Sequence, residues 1–169
     1  KVVINDLGAA LDGSGGSSAA ADAVVAEIKA AGGEAIADGG SVADDAGAAN
    51  LVRRAVDSFG RLDILIANAG ILRDKSFGKM ELADFEAVVQ VHLMGTVKPL
   101  LAAWPIMREQ KYGRVVVTTS STGLYGNFGQ ANYCAAKLSL VGLMNTLKIE
   151  GERDNIRVNA ISPVAATRM

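Results

Sequence analysis

Three residues of this chain have the side chains and spacing for proton exchange with an alcohol or carbonyl: Ser120, Tyr133 and Lys137. Tyr133 and Lys137 bracket Tyr133-Cys134-Ala135-Ala136-Lys137, inside an apolar helical pattern. Residues four apart on a helix share a face, with Cβ atoms about 5–6 Å apart. A free phenol titrates near ~10 and is a weak acid–base group at neutral pH. A neighbouring ammonium favours the phenolate and draws it toward the working range. Ser120 follows Val115-Val116-Val117-Thr118-Thr119, a β-branched run that sets it at the C-terminal edge of a predicted strand. A hydroxyl there can steady a substrate oxygen while Tyr133 exchanges a proton with it. The chemistry is that of hydride transfer to or from a carbonyl. The pair alone also fits a buried tyrosine beside a lysine that runs its stem along apolar surface, so the surroundings decide.

Those surroundings alternate regularly. Strands are predicted at Lys1–Asp6, Glu34–Ala37, Leu62–Ala67, Gly113–Thr119 and Ile156–Ile161. Helices are predicted at Ser17–Ala31, ended by Gly32-Gly33, and at Ala43–Phe59, ended by Gly60. Two more are predicted, at Leu82 to about Gln110, bent near Pro99 or Pro105, and at Gln130–Glu150. Ala9–Gly16 is a Gly/Ser-rich loop. Such alternation predicts an α/β fold, a doubly wound parallel sheet with crossover helices. Ligands of these sheets bind beyond the strand C-termini. Asp6, Asn68, Ser120 and Ser162 all fall there.

The chain has 169 residues, half of them hydrophobic, and a formal net charge of −1. That size suits one domain. The near-neutral charge, without a basic block, argues against nucleic acid as a partner. No apolar run approaches the ~20 residues of a membrane span, and no signal-peptide pattern is visible. Cys134 is the only cysteine, which excludes an internal disulfide and any multi-cysteine metal site.

Asn68-Ala69-Gly70 after an apolar strand, then Ser120, the Tyr133–Lys137 pair and Val158-Asn159-Ala160-Ile161-Ser162-Pro163 appear in that order. Together they resemble the short-chain dehydrogenase/reductase family, over essentially the whole chain. Val3-Ile4-Asn5-Asp6-Leu7-Gly8, Gly70-Ile71-Leu72-Arg73-Asp74, Val91-His92-Leu93 and Tyr125-Gly126-Asn127-Phe128-Gly129-Gln130-Ala131-Asn132-Tyr133 are similar to one subgroup. It is the (3R)-hydroxyacyl-CoA dehydrogenase unit of the type 2 multifunctional enzyme of fatty-acid β-oxidation.

The resemblance implies a Rossmann-like fold and NAD as cofactor. Tyr133 is then the acid–base, Lys137 its partner and ribose contact, and Ser120 the group that polarises the substrate oxygen. His92, where many relatives carry Asn, is a proton-relay candidate. Asp6 would meet the adenosine ribose and repel a 2′-phosphate. Ser41 and Val42 would lie at the adenine, Asn68, Ala69 and Gly70 along the cofactor, and Pro163, Val164 and Thr167 at the nicotinamide. Further expectations are a homodimer or homotetramer, an acyl-CoA thioester substrate, and a cytoplasmic location in a bacterium or a peroxisomal one in a eukaryote. A 3-oxoacyl-carrier-protein reductase is the rival within the class; Asp6 opposes the NADPH preference usual there. A noncatalytic dinucleotide-binding or assembly module is the rival outside it; an intact Ser120, Tyr133 and Lys137 opposes that.

Dinucleotide folds open with a strand, a Gly-rich turn and a helix. Here the first strand already ends in the acidic ribose position, and Gly13, Gly15 and Gly16 read as a flexible connection. The chain is therefore expected to be a partial NAD-binding domain over residues 1–169, incomplete at both ends. Strands 1 and 2 should then stand apart from the other three.

Overall fold

Among the described residues, five short apolar runs become five parallel strands in two sheets. β1 (Val2–Asn5) pairs with β2 (Ala35–Asp38), with Val3 opposite Ile36. β3 (Ile64–Ala67), β4 (Gly113–Thr118) and β5 (Ile156–Ile161) form the second sheet in that order. In it Leu65 lies opposite Val115, and Val115 opposite Val158. These features come from a computed structural model, which describes residues 1–164.

Parallel neighbours require crossovers. α1 (Ala19–Ala30) links β1 to β2, and α2 (Asp45–Phe59) leads from β2 to β3. The Asp44 side chain accepts from Gly47 N–H (2.8 Å) and caps α2. Gly60, at φ +79°, ends that helix. The expected pair of strands apart from a trio is what forms: among the described residues β1 pairs only with β2, and β3 only with β4. Ile64 and Ile66 of β3 are 57% and 62% exposed, although parallel strands are usually covered on both faces.

Side chains and loops join the sheets. Leu72 N–H donates to Leu11 O (2.8 Å), and Arg73 Nε donates to Asp12 O (3.0 Å). Lys98 donates to Ala43 O and pairs with Asp45 at 2.8 Å.

The long helix predicted from Leu82 differs in one respect. It consists of α3 (Leu82–Val89), a π-helical turn over Gln90–Met94, and α4 (Gly95–Gln110). Pro99 and Pro105 sit inside α4, which continues past both, and the π turn lies before it. One extra residue enters that turn, and the Thr96 hydroxyl donates to His92 O (2.8 Å). After β4 comes a short helix, α5 (Ser121–Tyr125), that patterning did not reveal. α6 (Ala131–Glu150) then carries Tyr133 and Lys137.

The main core gathers Val115 and Val117 of β4, Ile156 and Val158 of β5, Leu100 and Met107 of α4, and Leu140 of α6. Each such side chain contributes about 1.5–3 kcal/mol by leaving water. Ile71, Val88 and Ala136 form a smaller core, against which Tyr133 packs. Among the described residues no helix is long and apolar enough to cross a membrane.

Candidate active site

β4 and α6 are stitched together where β4 ends. The Lys137 ammonium, only 4% exposed, donates to Thr118 O (2.7 Å). The Thr119 hydroxyl donates to Lys137 O (2.7 Å). Ser120 follows at once, in extended backbone, as the N-cap of α5. Its Oγ accepts from Thr122 N–H (3.3 Å) and shares a hydrogen bond with Thr122 Oγ1 (2.9 Å). One turn before Lys137 on α6 stands Tyr133, and the ammonium lies 5.6 Å from its ring centroid. Burial pushes the Lys137 amine down to about 8. It is therefore still a cation at neutral pH, and two of its three N–H donors remain for hydroxyl acceptors.

His92 lies under this pair. It is fully buried in the π turn and meets Tyr133 edge to face at 5.1 Å. Turns of this kind often mark functional positions. The His92 Nε2 faces both Ile71 O (2.8 Å) and Ile71 N–H (3.1 Å), and Nδ1 has no partner among the described residues. The shorter contact requires a proton on Nε2, which leaves Nδ1 a bare acceptor. Gly70 makes room for the ring: a Cβ there would stand 2.4 Å from His92 Cε1. The glycine of Asn68-Ala69-Gly70 thus serves the histidine directly. Burial first, then the Lys137 charge, lowers His92 to about 4.

The other expected site residues fall into three groups. Asn68 lies beyond β3 and accepts from Thr118 Oγ1 (3.0 Å) through its side chain. It braces β4 by that bond. Ala69 and Gly70 continue that segment to Ile71. Asp6 and Ser41 belong to the β1–β2 sheet. The Asp6 Oδ1 accepts from Gly8 N–H (2.7 Å), and Gly8 adopts φ +67°, where a Cβ would strike the Ser17 backbone. The Ser41 Oγ accepts from Ala43 N–H (3.3 Å). Val42 faces Gly95 at the end of the π turn, where a Cβ would come within 2.8 Å of it. The third group is the β5 end: Pro163 and the exposed Val164 are described, whereas Thr167 lies outside the described residues. Asp38, at the end of β2, is occupied within its own sheet: its Oδ1 accepts from Asn5 Nδ2 (2.7 Å) and Gly40 N–H (3.0 Å).

Residues that patterning missed are the ones that hold the site. Thr118 and Thr119 read only as strand residues. Asn132 and Arg73 lie within the family-like stretches, which carry no sign of their contacts. Their partners lie tens of residues away in sequence, which leaves no periodic signal.

The short chain dehydrogenase family model matches residues 6–169. The chain is 58% identical over 168 residues to a putative short-chain type dehydrogenase/reductase, Rv0148, of Mycobacterium tuberculosis, covering 99% of this chain and 59% of that protein. It is 56% identical over 169 residues to peroxisomal multifunctional enzyme A of Dictyostelium discoideum, covering 100% of this chain and 38% of that protein. A crystal structure of a short chain dehydrogenase from Mycobacterium avium superposes with a TM-score of 0.89 at 46% identity, over 100% of this chain and 60% of that one. The chain belongs to the short-chain dehydrogenase family, and it spans less than two thirds of the length of these relatives. The family and fold imply a nicotinamide dinucleotide as cofactor. Lys137, with donors to spare, and Asp6, with Oδ2 unpartnered among the described residues, fit the hydroxyls of such a group.

His92 sets a pH dependence. Its folded value, about 4, lies below the 6.5 of the free side chain, so between those values the unfolded chain binds more protons. Stability therefore falls as pH drops from 6.5 to about 4 and is complete above 6.5. The span corresponds to roughly 3 kcal/mol at about 1.36 kcal/mol per pKa unit. Urea unfolding across that window should show a slope that His92→Asn reduces; equal slopes in both proteins contradict a buried neutral His92.

Proposed function

We propose that this chain carries the reacting groups of an NAD-dependent dehydrogenase that oxidises a (3R)-3-hydroxyacyl-CoA to the 3-oxoacyl-CoA. The observation that carries the reading is the buried Lys137 ammonium beside the Tyr133 ring, stitched to the strand end that precedes Ser120. Tyr133 as phenolate takes the proton of the substrate hydroxyl. Ser120 donates a hydrogen bond to the same oxygen as it becomes a carbonyl. Lys137 holds the phenolate by its charge and offers its free donors to the nicotinamide ribose. Bound NAD supplies the acceptor for the hydride that leaves the carbinol carbon. His92 serves as a buried neutral support under Tyr133, because its one donor is spent on Ile71 O. Asn68, Ala69 and Gly70 flank the cofactor. Ser41 and Val42 line its adenine end, and Pro163, Val164 and Thr167 its nicotinamide end.

The acyl-CoA class is supported by the similarity to a peroxisomal multifunctional enzyme. That similarity also supports a peroxisomal location in a eukaryote, with the cytoplasm as the bacterial equivalent. Exposed Leu101 of α4 and Leu138 of α6 support a homodimer or homotetramer formed across these helices. Sedimentation of the intact protein as monomer alone contradicts that assembly.

NADH formation from a 3-hydroxyacyl-CoA by the intact protein tests the chemistry. Tyr133→Phe should lower kcat by about 10²–10⁴-fold, the usual contribution of a positioned proton-transfer group, with NAD affinity little changed. Ser120→Ala should lower kcat likewise and spare NAD binding, whereas Lys137→Met should damage both. Full turnover in the Phe variant would remove the acid–base assignment.

Cofactor choice tests Asp6. A carboxylate facing the ribose repels a 2′-phosphate, so kcat/KM should be higher with NAD than with NADP. A preference for NADP contradicts the role given to Asp6.

A further inference from the structure

The proposed chemistry depends on where the Tyr133 hydroxyl stands, and Tyr133 is the third residue of α6. The residue before it, Asn132, is fully buried. Its Nδ2 donates to Arg73 O (3.0 Å) and Asp84 O (3.4 Å), and its Oδ1 accepts from Tyr133 N–H (2.7 Å). Both donors and the oxygen are used, and the reverse amide orientation would set its oxygen against two carbonyls. The first turn of α6 is therefore held to the loop after β3 and to α3 through one side chain.

Arg73 extends the connection. Its Nε donates to Asp12 O (3.0 Å), and its guanidinium pairs with Asp84 at 3.2 Å. The other Asp84 oxygen takes Lys75 Nζ at 2.8 Å. Asp12 lies in the loop that leaves β1 just after Asp6 and returns at Ser17, where Ser17 N–H donates to Leu7 O (3.1 Å). Within that loop Ala10 N–H donates to Ser14 O and Gly13 N–H to Ala10 O, closing it on itself. Residue 73 is thus where loop 8–16, α3 and the start of α6 meet.

We infer that Asn132 and Arg73 are positioning residues: Asn132 fixes the place of Tyr133, and Arg73 ties that place to the loop that begins beside Asp6. The cofactor-side loop and the acid–base group are then mechanically linked. This rests on the proposed role of Tyr133. A displacement of about 1 Å at a reacting group can cost ~10²-fold in rate, so loss of either tether should appear in kcat.

Asn132→Leu and Arg73→Lys in the intact protein test the inference, with folding checked by circular dichroism. Leu keeps the volume and removes all three hydrogen bonds. Lys keeps the charge facing Asp84 and removes the fork that also reaches Asp12 O. Asn132→Leu should lower kcat about tenfold or more while the KM for a 3-hydroxyacyl-CoA and the NAD affinity, read by fluorescence, stay within about twofold. Arg73→Lys, at a half-exposed position, keeps the test open where the Leu variant fails to fold. It should lower kcat and NAD affinity severalfold together and speed amide hydrogen exchange in residues 8–16 and 131–134. A folded variant of either kind with wild-type kcat overturns the inference. A wild-type protein that forms no NADH overturns the proposed function on which it rests, a separate outcome.

Discussion

A buried lysine is the constraint around which this structure is arranged. Removing an ammonium from water is costly, and Lys137 recovers only part of that cost through one hydrogen bond to Thr118 O. The neighbouring Thr119–Lys137 bond repeats the connection in the opposite direction. Strand β4, helix α6 and the turn at Ser120 therefore cannot shift independently. The same burial keeps the amine near 8, a charge that survives at neutral pH in a setting where its field is little screened. A surface lysine at this spacing would hold neither the strand end nor the tyrosine.

The π turn is the second consequence. His92 must sit between Tyr133 and the loop at Gly70–Ile71, and a regular helix from Leu82 would rotate it off that line. One extra residue in the turn sets the ring in place, with Gly70 leaving the space and Thr96 taking the displaced carbonyl. An imidazole has a cost here: one ring nitrogen cannot serve both the N–H and the C=O of Ile71. An amide side chain can, which is why His92→Asn is the informative substitution.

Much of this was legible in the sequence, for definite reasons. Tyr133 and Lys137 could be paired because 3.6-residue periodicity fixes which side chains share a face. The strands showed as β-branched runs, and β5 occurs at the expected Ile156–Ile161. The separation of β1–β2 from β3–β4–β5 was expected because the first strand already ends in the acidic ribose position, and it is what forms. The π turn, by contrast, could not be read: a carbonyl that bonds five residues on leaves no mark in residue type, and the ring it places packs on Gly70, distant in sequence. The short helix α5 has too little periodicity to register. Asn132 and Arg73 act through partners on three other segments, and local pattern carries no trace of that.

Isotope transfer reaches the central claim most directly. The intact protein would be given NAD and a (3R)-3-hydroxyacyl-CoA bearing deuterium at C3, and the reduced cofactor examined by mass spectrometry and NMR. If Ser120, Tyr133 and Lys137 serve hydride transfer from a carbinol carbon, the deuterium arrives at the nicotinamide ring and stays out of the solvent. Deuterium released to water, or a cofactor left unreduced while the protein binds it, would contradict the proposal that this site is a dehydrogenase active site.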